Sequence, residues 1–270
     1  MGFYNFTQPG HGDVDDSYYH PFVRFWRRYG RNFMKLVGVN LLYALITLPV
    51  FVWLVGQINV LTAQSDGKVT SLLGTILLYY AMQMPVSLII GLLVLSVLAL
   101  GPATAALTYF AVDCAWDRPG LIWSRFWDAW KKNWKQALPI GLLDFAVMLA
   151  TLYYLIDGKV LFGMFGSVLQ VVWILFGLIY ALMRVYLFPV MVTIDLPSLA
   201  LIKNCLILVI LKPWRALAVV AIAAVLSFLC SVVDIILVPC FMFSFVAFSA
   251  AFLTQPPIDK YLINPEQDVE

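Results

Sequence analysis

Apolar runs long enough to cross a bilayer recur along this chain, and its positive charges fall almost entirely between alternate runs. A spanning helix needs roughly 20 predominantly apolar residues. Drawn on that basis, crossings fall near residues 36–56, 72–100, 136–156, 162–188, 214–234 and 236–253. All but two of the 17 Lys and Arg, namely Lys68 and Lys159, then lie on one side. Short-loop Lys/Arg bias marks the cytoplasmic side, so both termini are expected in the cytoplasm. Composition leaves little room for a soluble reading. Hydrophobic residues make up 63% and charged residues 12%, against roughly 25% charged in ordinary soluble domains. Nine Trp and 13 Tyr suit two interfacial belts.

The expected fold is all-α: a polytopic transmembrane bundle of three helical hairpins. It forms one membrane domain over 1–254, followed by a polar cytoplasmic tail, 255–270, with Pro256-Pro257 as a stop. Outer turns are expected at Asp66-Gly67-Lys68, Asp157-Gly158-Lys159 and Asp234–Pro239, and Pro189 is expected to end the fourth crossing. The apolar stretch 72–112 is long enough to suggest two crossings. A second one there would carry Arg118, Arg125, Lys131, Lys132 and Lys135 outside and destroy the bias. The expectation is instead one long helix containing Pro85, broken at Gly101-Pro102, then an interfacial or re-entrant helix over 101–113.

An internal repeat supports the hairpins. Arg24-Phe25-Trp26 recurs as Arg125-Phe126-Trp127, and Asn32-Phe33 as Asn133-Trp134, in one register. Lys212-Pro213-Trp214-Arg215 is a fainter third copy. Interfacial amphipathic helices are therefore expected near 22–35 and 121–135, with a further apolar segment at 196–211. In the first, Phe22, Phe25, Trp26, Tyr29 and Phe33 oppose Arg24, Arg27, Arg28, Arg31 and Lys35. In the second, Ile122, Phe126, Trp130 and Trp134 oppose Arg125, Asp128, Lys132 and Lys135. Such helices lie in the headgroup plane, aromatics inward. They serve either as anchors or as docking faces, for which Arg125, Trp127, Lys132 and Trp134 are the candidates.

The first 20 residues are polar and lack a signal-peptide core. Cys114 and Cys205 fall on the predicted cytoplasmic side, where thiols stay reduced. Cys230 and Cys240 flank the last outer turn and read better as packing residues than as a disulfide. Both histidines, His11 and His20, precede the first crossing, so neither a metal site nor a cofactor is expected. The basic clusters call for phospholipid headgroups rather than nucleic acid. No nucleophile constellation or phosphate-binding loop appears, and an enzyme is not expected.

Asp144 invites chemistry most. It lies eight residues into the third crossing, ~12 Å deep at the helical rise. An ionisable group there costs several kcal/mol unless paired or hydrated. Arg184, near the cytoplasmic end of the neighbouring crossing, can reach it. The two readings are a bridge locking the second hairpin and a proton or substrate site. Asn40, with Gln83 and Gln170, adds modest interior polarity, most simply interhelical hydrogen bonds.

The string Gly101-Pro102-Ala103-Thr104-Ala105-Ala106-Leu107 resembles the hallmark of the YesL-like (DUF624) bacterial membrane proteins. Four further features agree in order: Val39-Asn40-Leu41-Leu42-Tyr43 with Leu48-Pro49, the Phe126-Trp127 to Lys135-Gln136-Ala137 helix, Tyr186-Leu187-Phe188-Pro189, and Lys203-Asn204. The stretch from Pro49 to Gly101 is longer than in the family pattern. The resemblance implies a small integral protein of the bacterial cell membrane, of a kind commonly encoded with carbohydrate-uptake ABC transporters. Physically, Gly101 and Pro102 free backbone groups that the protein must satisfy internally, and the alanines permit close helix contact.

Three functions compete. The first is an accessory subunit beside ABC-transporter permease subunits in carbohydrate uptake. The second is a small-solute channel or carrier in its own right, and the third is a scaffold without transport.

Overall fold

Helices and short connections, with no strand, make up the described residues of the computed structural model, which are 19–66, 85–116, 120–232 and 242–263. Six α-helices follow in order: α1 Pro21–Asp66, α2 Val86–Ala115, α3 Ile122–Thr193, α4 Ser198–Leu211, α5 Pro213–Val232 and α6 Phe243–Ile258. A π-helical turn, Asp259–Ile263, extends α6. Among the described residues, three stretches are long and apolar enough to cross a membrane: Pro21–Trp53, Ile90–Ala115 and Val171–Thr193. A fourth is added if α4 and α5, bent by 95° at their junction, form one broken span. The all-helical, membrane-spanning character is as expected, but several boundaries are not.

The segments 22–35 and 36–56 are one helix, and so are 121–135 and 136–156. Nothing between Phe33 and Leu36 breaks a helix. The change from basic-aromatic to apolar sequence is a change of surroundings, which leaves the backbone hydrogen bonds untouched. At 1.5 Å per residue the 46 residues of α1 reach about 70 Å, twice a hydrocarbon core. Its first turns therefore extend the spanning rod as a foot that packs against the feet of its neighbours.

Two corrections concern α2. Pro85, expected inside a helix starting at 72, is extended at ψ 135° and precedes the first turn of α2. Gly101-Pro102 does not break the helix, and 101–113 continues it rather than forming a helix of its own. The helix runs through Pro102 to Ala115, and almost every residue from Gly101 to Ala115 is buried. A helical proline forfeits one backbone hydrogen bond and crowds one carbonyl, a cost that tight packing on all sides can outweigh. Cys114 and Cys205 are buried.

The helical span α3 runs through Asp157-Gly158-Lys159, the place of the expected outer turn. A straight helix would still separate Asp144 from Arg184 by about 60 Å, whereas these side chains lie 2.8 Å apart. Trp173 Nε1 donates to Thr151 Oγ1 at 3.1 Å as well. The two arms of α3 thus lie antiparallel, and the chain doubles back between Thr151 and Trp173. Pro189 does not end the second arm, which continues to Thr193.

Towards the other end of the chain Pro256-Pro257 fails to stop α6, and residues 255–258 are not a free polar tail. Gln255, Pro257 and Ile258 are buried. Pro257 cannot donate to the Leu253 carbonyl one turn back. Arg215 Nη1 on α5 donates there instead, at 3.0 Å, so the lost bond is replaced from a neighbouring helix. The calls on His11, Gly67-Lys68, Gln83, Arg118, Asp234–Pro239 and Cys240 lie outside the described residues. So do those on the side chains of Gln170 and Cys230.

The core centres on the second half of α2, held by α1, α3 and α6. Phe25 and Tyr29 of α1 meet Phe245 and Phe248 of α6 at ring centroid distances of 5.0–5.9 Å. The aromatics expected to face lipid thus divide. Phe25, Tyr29 and Phe126 face protein, while Phe22, Trp26, Trp123 and Trp134 remain exposed.

Candidate functional site

The family-like string makes a close helix crossing. A Cβ built on Gly101 would collide with the Ala137 carbonyl, and one on Gly141 with the Gly101 backbone. Gly101 and Ala105 on α2, with Ala137 and Gly141 on α3, are small residues four apart on facing helices. That spacing lets two backbones touch. Pro102 and Ala103 are buried at the same crossing. Thr104 Oγ1 donates to the Leu100 carbonyl at 2.8 Å and bonds the Tyr43 hydroxyl of α1 at 3.2 Å. Gly141 was not singled out in the sequence, although Ala137-x-x-x-Gly141 is itself a legible small-residue pair.

One turn beyond the crossing lies the polar cluster of Asp144 and Arg184. Asp144 Oδ2 accepts from Arg184 Nε at 2.8 Å, and its Oδ1 accepts from the Tyr180 hydroxyl at 2.5 Å. Tyr180 and Arg184 are four residues apart on one helix and therefore share a face. That spacing was the missed sequence signal for Tyr180. The Asp144 side chain is only 8% exposed, the Arg184 side chain 43%. Arg184 also lies over the Phe188 ring, 5.4 Å from its centroid. Both carboxylate oxygens are thus engaged by protein donors, and the cluster ties the two arms of α3 together. Chemically it is a closed ion pair whose cation forms the outer side.

Asn40 sits elsewhere and does different work. Fully buried on α1, it accepts the Ser244 backbone N–H at 2.7 Å through Oδ1. Ser244 lies in the first turn of α6, whose own N-cap residue makes no side-chain cap. The first four N–H groups of a helix lack internal partners, so Asn40 caps α6 from a neighbouring helix. Arg28 and Asn32 act comparably at the opposite pole of α2. Arg28 Nη1 donates to the Ala115 carbonyl at 2.6 Å, and Asn32 Nδ2 to the Cys114 carbonyl at 3.3 Å. A guanidinium at a helix C-terminus also complements the helix dipole.

The four docking candidates separate into two kinds. Arg125 pairs with the buried Asp113 at 3.3 Å and reaches the Tyr109 hydroxyl at 3.3 Å, and Trp127 is packed against the core. Both are internal. Lys132 and Trp134 are exposed. Asp113 was missed because an acidic residue ending an apolar run reads as a surface group, yet it is buried beside Arg125. No cluster of three or more His, Cys, Asp or Glu able to hold a metal occurs among the described residues.

No curated protein and no solved structure matches the chain. A family model does match: DUF624, described as a protein of unknown function, over residues 36–155. The matched span contains the Gly101 crossing, Asn40, Asp144 and the Phe126–Ala137 helix. It ends before Arg184, Tyr186–Pro189 and Lys203-Asn204. The match covers less than half of the chain and agrees with the resemblance carried by the Gly101–Leu107 string.

Proposed function

We propose that this chain is an accessory subunit of the bacterial cell membrane, seated beside the permease of a carbohydrate importer of the ABC type. In this reading it crosses the membrane six times as three hairpins, with both termini in the cytoplasm and one membrane domain over 1–254. The observation that carries the reading is the closure of its interior polar groups. Asp144 is taken up by Arg184 and Tyr180, and Asn40 caps α6. A carrier wants polar groups on facing helices available to a solute, and these are engaged by protein. What remains available is surface: the exposed apolar shell of α3 and α5, and the exposed Lys132 and Trp134. The carbohydrate association rests on the family resemblance.

One observation favours a carrier. The Arg184 side chain is 43% exposed beside the buried Asp144 carboxylate, so an anionic or hydroxylated solute could compete for it from outside the bundle. Two experiments separate the readings. Purification in mild detergent with co-expressed permease subunits should recover a stable complex, and a lone chain would contradict the accessory role. Proteoliposomes holding only this chain should show no solute flux. Flux abolished by Asp144→Asn in a normally inserted protein would establish the carrier.

A further inference from the structure

Both ends of α4 are tied to α3. Gln136 Nε2 on the first arm donates to the Leu196 carbonyl at 2.7 Å, and the Tyr186 hydroxyl on the second arm donates to the Lys212 carbonyl at 2.9 Å. Between these points Leu201, Cys205 and Leu208 are buried against the core. Their spacing of four and three residues makes one stripe along the helix. Pinned at both ends and seated along that stripe, α4 cannot roll, and its opposite face stays outward.

That outward face is apolar, where a helix facing water would be polar. Leu199 is 84% and Ile210 79% exposed, with Leu206 and Ile207 exposed between them. Lys203 is exposed in the middle of the stripe, one turn from both Leu199 and Ile207. Among the described residues it has no acidic partner. From Pro197 to Arg215 the sequence holds Lys203, Lys212 and Arg215 and no acidic residue. The exposed Asp195 precedes the helix. Trp214, 80% exposed, stands at the bend into α5, as suits a membrane interface.

The bend sets the direction, since α4 and α5 meet at 95°. With α5 as the fifth crossing, the reading on which this inference rests, α4 runs along the membrane plane. Large apolar side chains held outward there have acyl chains beside them. A lysine among them lays its stem on the apolar surface and lifts its ammonium to the headgroup layer. We propose that this face of α4 binds an anionic phospholipid, with Lys203 on the phosphate and an acyl chain along Leu199, Leu206 and Ile210. A zwitterionic lipid fills the same stripe but brings its own cation, so Lys203 gives the site its preference. A second copy of the chain suits the face less well, because a two-fold contact centred on the stripe sets one Lys203 against the other.

The test uses the full-length protein in nanodiscs of equal phosphatidylglycerol and phosphatidylcholine. Photoreactive benzoylphenylalanine takes the place of Leu199, of Ile210 or, on α5, of the exposed Val225, and mass spectrometry identifies the crosslinked lipid. Adducts at 199 and 210 should favour phosphatidylglycerol about fivefold over those at 225, which sample bulk lipid. Lys203→Gln should bring that ratio down to the level at 225, and Lys203→Arg should keep it. Lys203 is exposed, so both variants are expected to fold. Lipid adducts at 225 with no enrichment at 199 and 210 overturn the proposal and leave the crossing by α5 intact. Absence of lipid adducts at 225 removes that crossing and the proposal with it. Enrichment that survives Lys203→Gln contradicts the role of the lysine, and crosslinks from 199 and 210 to a second chain make another copy the occupant. Both of these results also overturn the proposal.

Discussion

Gly101–Ala115 and Val168–Ile179 are both apolar helix, yet they meet opposite surroundings. The first is buried on nearly every side and built of Gly, Ala and Thr with a few large residues. The second leaves Val168, Val171, Val172, Ile174, Leu175 and Ile179 more than half exposed. In a membrane the solvent for apolar side chains is lipid as readily as protein, so hydrophobicity alone does not sort inside from outside. Side-chain size does. Where backbones must touch, as at Gly101 and Gly141, the residues are small. Where lipid fills the space, they are large and branched.

The sharpest way to break this comparison is to place one side chain in both environments. Gly141→Leu forces atoms into the Gly101 backbone and should cost about 3 kcal/mol or more. Gly177→Leu, with nothing within 4 Å of its Cβ position, should change stability by less than about 0.5 kcal/mol. Thermal unfolding of the two variants in one detergent measures the difference, and equal effects would dissolve the distinction.

A second, smaller effect tests the polar tie. Arg184→Met leaves the buried Asp144 carboxylate without its cation and should cost about 2 kcal/mol or more. Adding Asp144→Asn should restore much of that loss, because the uncompensated charge is gone. A double-mutant cycle with no coupling would show that the pair does not hold the arms of α3 together. Asn40→Ala comes next, at about 1 kcal/mol, through the uncapped Ser244 amide. Hydrogen exchange should find the first turn of α6 opening more often and the rest of the bundle unchanged. Smallest of all is Val172→Ala in the shell, expected within about 0.5 kcal/mol of the parent.

How much of this was legible in the sequence follows the same division. Apolar length and the positive-charge bias led to a helical membrane bundle, because spanning length is a local property. The meeting of Asp144 and Arg184 was readable because two ionisable groups in apolar helices have few alternatives to each other. The packing alanines of the Gly101 string were readable for their size. What escaped were effects of neighbours. A glycine-proline pair reads locally as a break, but packing from α1, α3 and α6 keeps α2 intact through it. Pro256-Pro257 reads as a stop, and nothing near it in sequence reveals that Arg215 replaces the lost bond. The basic-aromatic stretches read as separate interfacial helices because amphipathicity reports a two-sided environment. It does not say whether the inner side is lipid or another helix, and for Phe25, Tyr29 and Phe126 it is another helix.

The claim beneath all of this is that the Gly101–Ala115 half of α2 sees protein and the Val168–Ile179 stretch of α3 sees lipid. Photolabelling of the unmodified protein in bilayers with a carbene-bearing phospholipid, followed by peptide mapping, reads that directly. The account predicts adducts across Val168–Ile179 and none across Ala103–Ala115. Comparable labelling of the two stretches would contradict it.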